Sequence, residues 1–127
     1  MSRLRIAVIG AGLAGLACAE ALSAHAALVT LFDKGRSPGG RLATRRLPPH
    51  TFDLGAQYFT ARGPRFAERV RAWTNAGVCG LWPARLVSLS DRASAFRPVD
   101  GALERFVGQP GMSALAHRSA RRRASRP

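Results

Sequence analysis

Little in this 127-residue chain offers metal or thiol chemistry, for it holds two cysteines and three histidines. Cys18 and Cys79 stand far apart, with neither C-x-x-C nor metal-ligand spacing. That excludes a disulfide framework and reads as core thiols in a reducing compartment, which places the protein in the cytoplasm. His25, His50 and His117 are equally dispersed, so no metal site and no Ser/His/Asp set can be drawn. No internal repeat is visible. The longest apolar stretch is interrupted by Glu20 and His25 before it reaches the length of a membrane span, so no membrane association is expected.

Lysine is also scarce: of 20 basic residues only Lys34 is a lysine, and the formal charge is +13. Five arginines (Arg118, Arg121, Arg122, Arg123, Arg126) fall in the last ten residues, which leaves 20 less 5, or 15 bases, against 7 acids in the first 116. The remaining bases are scattered. A nucleic-acid module more often shows a basic stripe with interleaved aromatics, and none is present, so no specific nucleic-acid partner is expected. The apolar fraction of 46% is that of a globular chain of one domain, or a large part of one.

What the sequence does have is glycine in a particular place. Arg5-Ile6-Ala7-Val8-Ile9 is an apolar run of strand length. It leads into Gly10-Ala11-Gly12-Leu13-Ala14-Gly15, three glycines at G-x-G-x-x-G spacing, and then into an alanine-rich helix. The first glycine permits a tight turn, the second lets backbone approach a pyrophosphate, and the third lets helix and sheet pack closely. The helix N-terminus then offers unpaired N–H groups and the positive end of its dipole to an anion. Ala14, Ala17, Cys18 and Ala21 are expected to form the close-packed face of that helix. Leu28-Val29-Thr30-Leu31-Phe32 reads as a second, parallel strand ending at Asp33, about 20 residues past the glycines, where an acid accepts from ribose hydroxyls. A secretory signal beginning at Arg3 and Arg5, with Ala17-Cys18-Ala19 as its cleavage site, is the competing reading. It requires neither this glycine spacing nor a second strand closed by an acid.

Beyond Asp33, Gly39-Gly40-Arg41 lets the backbone pass close to a ligand and supplies a permanently charged fork for phosphate; a solvated Gly-Pro turn is the plain alternative. Leu47-Pro48-Pro49-His50 is a stiff connector. Phe52 to Thr60 contains Gly55-Ala56, which offers exposed backbone, and Gln57-Tyr58, which offers an amide and an amphipathic ring; it reads equally as a short strand with core aromatics. Pro64 to Ala76 has helical spacing, with Phe66, Val70 and Trp73 inward. Leu86–Leu89 and Ala95–Arg97 read as antiparallel strands, Arg105–Gly108 as another short strand, and Met112–Ala116 as the opening of a helix. His117 to Pro127 lacks large apolar residues and is expected to be disordered.

Taken together, the Gly10/Gly12/Gly15 loop, Asp33-Lys34, Gly39-Gly40-Arg41, Asp53 to Tyr58 and Val107 to Met112 resemble the N-terminal part of the renalase-like, amine-oxidase-related FAD-dependent oxidoreductases, over residues 3 to about 116. The resemblance implies an α/β fold: a Rossmann-like FAD-binding βαβ unit with parallel strands over residues 1–62, then a helix and short antiparallel strands of an incomplete substrate domain over 63–116, then a basic tail over 117–127. It implies that Gly10, Ala11, Gly12, Leu13, Ala14 and Gly15 hold the FAD pyrophosphate and Asp33, beside Lys34, the ribose. Gly40 and Arg41 then meet the phosphates, and Gly55, Ala56, Gln57 and Tyr58 lie at the flavin end. The implied chemistry is hydride transfer from a small-molecule substrate to the flavin, with oxygen as acceptor; no catalytic residue stands out. Asp33 replaces the glutamate of many relatives. Such relatives are more than twice as long, so a truncated or frame-shifted product is expected, and with it the alternative of an inactive FAD-binding fragment. The first loop alone also suits an NAD(P)-binding Rossmann protein, and the 39–41 and 55–58 segments favour FAD.

Overall fold

Two short apolar runs separated by a glycine turn and a helix fold as their spacing dictates. The computed structural model describes residues 3–25, 27–84, 87–90, 93–98 and 103–124. Strand β1 (Arg5–Ile9) pairs in parallel with β2 (Leu28–Phe32), in register from Arg5 opposite Leu28 to Ile9 opposite Phe32, and helix α1 (Leu13–Ala24) makes the crossover. A side-chain period of two divides this pair. Ile6, Val8, Val29 and Leu31 turn inward, and Arg5, Ala7, Ile9, Leu28, Thr30 and Phe32 lie on the exposed face. Gly10 leaves β1 at φ +100, a conformation that side chains disfavour. A Cβ on Gly15 would collide with the Gly10 carbonyl, so the third glycine sets how closely α1 meets the turn.

The chain then forms a single 3-10 turn over Gly40–Leu42 and an antiparallel hairpin of β3 (Thr44–Leu47) and β4 (His50–Asp53), so the Pro48-Pro49 connector is a hairpin turn. Helix α2 (Pro64–Asn75) opens on proline, whose fixed φ suits a first helical position and whose missing N–H costs nothing there. It ends where Gly77 takes a left-handed φ of +68. Strand β5 (Cys79–Leu81) pairs with the later β8 (Phe106–Gly108), and β6 (Val87–Ser90) with β7 (Ala93–Pro98), both antiparallel. The second pair matches the expected hairpin, although Leu86, Asp91 and Arg92 lie outside the described residues. Helix α3 (Ser113–Ala124) closes the fold, which is mixed α/β: one parallel pair, three helices and short antiparallel pairs among the described residues.

Leu16, Leu42, Val70, Trp73, Cys79, Met112, Leu115 and Ala116 form one buried cluster, drawn from both sides of the expected boundary at residue 62. Full burial of side chains such as Val70 or Leu115 contributes roughly 1.5–3 kcal/mol each. Phe59 joins the cluster through a bridge to Phe106, their rings stacked at 5.7 Å, and meets Trp73 edge-on at 6.4 Å.

Three expectations need correction. The buried positions of α1 are Leu16 and Ala19, whereas Ala14, Ala17, Cys18 and Ala21 are exposed. Gly15 fixes the rotation of the helix and points the alanine face away from the strands. Cys18 is therefore an exposed free thiol, and only Cys79 is a core one. The third correction concerns the basic tail, which is helical through Ala124, with 125–127 outside the described residues. Ala116 and Ser119 are buried and Ala120 packs on the core, since small side chains let α3 lie close against its neighbours.

Candidate functional site

The turn between β1 and α1 is where backbone groups are left without partners. Helix α1 is capped by Gly12 with no side-chain hydrogen bond and has no acid in its first turn. The first internal bond runs from the Leu16 amide to the Gly12 carbonyl at 3.0 Å, and the amides of Gly12, Ala14 and Gly15 meet no acceptor among the described residues. Such orphan donors at a helix N-terminus, with the dipole behind them, stabilise an anion. A Cβ placed on Gly12 would find nothing within 4 Å. The missing side chain at Gly12 therefore answers to no packing demand of the protein itself, and the space before the turn is open.

Around the turn the structure gathers most of the residues singled out from sequence. The Ala11 amide donates to Asp33 Oδ2 at 2.6 Å, and the Gly35 amide to Asp33 Oδ1 at 2.6 Å. These two backbone bonds, the Ala11 bond first, hold the Asp33 carboxyl below its ordinary value, with the charge of neighbouring Lys34 adding to them against a small desolvation cost. Each carboxylate oxygen keeps a second lone pair, and Asp33 is exposed, so two acceptor positions face solvent. The Gly39 amide donates to the Ala11 carbonyl at 2.9 Å, and Gly12 and Gly39 form a parallel bridge. That contact lays the Gly40–Leu42 turn alongside the glycine loop, with Arg41 exposed. The Ala56 amide donates to the Arg41 carbonyl at 2.8 Å, while a Cβ on Gly55 would collide with that same carbonyl. Four segments from residues 10 to 56 are thus tied together by hydrogen bonds and close backbone contacts.

Gln57 and Tyr58 depart from this cluster. Gln57 is exposed, and Tyr58 stacks on Trp82 at 5.5 Å with the Arg105 guanidinium 5.5 Å over its ring. No hydrogen bond or ring contact joins either residue to the glycine loop among the described residues. Sequence reasoning also missed that Asp33 ties down the loop amide, and that Trp82 and Arg105 brace Tyr58. An acid at the end of the second strand was visible in the sequence, but no local pattern announces the other two, which flank β5 and β8 and are joined by the Trp82 amide donating to the Arg105 carbonyl at 2.8 Å. Among the described residues no three His, Cys, Asp or Glu side chains cluster as a metal site. No helix among them is long and apolar enough to cross a membrane.

Comparison with known proteins bears on the same segments. Residues 8–73 match the family model of the NAD(P)-binding Rossmann-like domain. Over 52 residues the chain is 44% identical to a 4,4'-diapophytoene desaturase (4,4'-diaponeurosporene-forming) of Staphylococcus haemolyticus strain JCSC1435, covering 41% of this chain and 10% of that protein. The protein of the same description from Staphylococcus aureus strain Newman is 42% identical over 52 residues, with the same coverage. Among solved structures, putrescine oxidase bound to putrescine superimposes with a TM-score of 0.55 at 22% identity, covering 79% of this chain and 22% of that one. Its A394C mutant, from a redesign of cofactor binding, gives the same values. The chain spans about a tenth of the desaturases and about a fifth of the oxidase.

Proposed function

Because the chain belongs to the NAD(P)-binding Rossmann-like domain family, we propose that it is the nucleotide-anchoring part of an FAD-dependent oxidoreductase of the amine-oxidase and desaturase kind. The observation that carries this reading is the open turn at Gly12, where the amides of Gly12, Ala14 and Gly15 meet no acceptor and a Cβ on Gly12 would find nothing within 4 Å. Gly10 to Gly15 would receive the diphosphate and Asp33 the ribose through its spare lone pairs. Arg41 would reach the phosphates, and Gly55 and Ala56 would follow the dinucleotide toward its far end. The bound flavin would supply the hydride acceptor, with oxygen as the proposed terminal acceptor. What this chain contributes is orientation: backbone donors fixed by the Asp33 and Gly39 bonds before the ligand arrives. The substrate, by the renalase-like resemblance, is a small molecule carrying a C–H beside nitrogen or in a reduced ring. A cytoplasmic location is part of the same proposal.

A second reading, an NAD(P) site, is favoured by the description of the matching family. Equilibrium dialysis against FAD, NAD and NADP separates the two. Retention of FAD at least about tenfold tighter than either pyridine nucleotide, abolished by Gly12→Val and kept by Arg46→Ala, is the expected result. Full FAD retention by Gly12→Val would sink the placement.

A further inference from the structure

A cavity of about 550 Å³ lies between α1 and α2 on the side of the exposed alanine face. That size falls within the range of small-ligand pockets, about 300–1,000 Å³. Leu13, Phe66 and Trp73 give it apolar walls, and Trp73 is only 6% exposed. Three arginines border it. Arg69 is paired with Glu20 at 3.1 Å, so its charge is largely answered. Arg41 and Arg65 have no acidic partner among the described residues, and the cavity carries a local positive excess. Ser119 Oγ also lines it but donates to the Leu115 carbonyl at 3.0 Å, so polar recognition falls to the guanidiniums.

We propose that this cavity binds an amphipathic acid: an apolar body against Leu13, Phe66 and Trp73, and one carboxylate between Arg41 and Arg65. The charge pattern selects the class. An unpaired guanidinium at the rim of an apolar pocket favours a planar anion that it can fork, and it disfavours a cation or another arginine-rich surface. A second copy of this chain, at +13, is repelled on the same ground. The inference goes beyond the nucleotide reading and does not depend on it, although Leu13, Ala14 and Arg41 border both sites.

Two tryptophans make the test direct. In a Trp82→Phe background Trp73 is the sole indole, and decanoate, decanol and decylammonium are titrated below their aggregation limits with far-UV circular dichroism held constant. Decanoate should give a saturable Trp73 emission change, decanol should bind at least about tenfold more weakly, and decylammonium should not bind. Arg65→Ala and Arg41→Ala should each weaken decanoate by about five- to tenfold, and Arg46→Ala should not. Equal affinity for decanoate and decanol, or an unchanged Arg65→Ala, would overturn the proposal. So would the lack of a saturable signal, or a dimer in sedimentation that masks the cavity. Displacement of decanoate by FAD would assign the cavity to the nucleotide cleft and equally overturn a second site, whereas FAD that fails to bind leaves the decanoate result standing.

Discussion

Two glycines of the first turn are constrained by different partners, and substitution separates them. Gly15 is fixed by the protein, since its Cβ would strike the Gly10 carbonyl. Gly12 has an ordinary φ of −72 and open space around it. Gly15→Ala should therefore cost about 2 kcal/mol of stability in a chemical melt, as other overpacked sites do. Gly12→Ala should leave stability within about 1 kcal/mol, or raise it, while weakening nucleotide binding. Asp33 adds a pH signature. Its carboxyl is held below the ordinary 3.8 by the Ala11 and Gly35 amides, so the charged form is favoured by folding. Its contribution is complete above that value and is lost as pH falls through the lowered one. Acid titration of the folded protein should show this loss, and Asp33→Asn should lack it. The acid itself was legible from its position after the second strand. Its bond to the Ala11 amide was not, because that depends on how the turn folds back.

Helix α3 shows what sequence periodicity cannot register. Its N-terminus is capped from 59 and 69 residues away: the Met112 amide donates to Asp53 Oδ1 at 2.9 Å, and the Ser113 amide to Thr44 Oγ1 at 2.9 Å. Thr44 in turn donates to Asp53 at 2.5 Å, which ties the β3–β4 hairpin to the helix. The parallel pair and α2 could be read because their apolar positions recur at fixed intervals. A cap supplied by a distant hairpin leaves no such interval, and an arginine-rich segment buried through Ala116 and Ser119 offers no large side chain to count. Asp53→Ala removes the acceptor of a buried helix end and should cost about 1–3 kcal/mol, read as a loss of helical signal and of melting temperature. Thr44→Val should cost a similar amount, and the two together less than their sum, since they share one network.

Among the described residues the parallel pair is covered on one side. In α/β proteins a parallel sheet is buried on both faces, yet Ile9 is 81% exposed, Phe32 53% and Leu28 50%. The strands thus carry large apolar side chains on both faces, with Arg5 and Thr30 among those exposed, while the side chains that bury them come from one direction. Charge opposes the consequence. A chain at +13 repels its own copies, and that repulsion is screened within about 8 Å at physiological ionic strength. Solubility should accordingly fall as salt is added, opposite to what a protein held in solution by ion pairing would do. Replacing Ile9→Thr and Phe32→Thr together changes side chains that pack on little, so stability should move by less than about 1 kcal/mol. The soluble limit at high salt should rise in the double variant if the bare face is the source of association. A double variant that precipitates at the same salt concentration as the parent would show that association arises elsewhere on the surface.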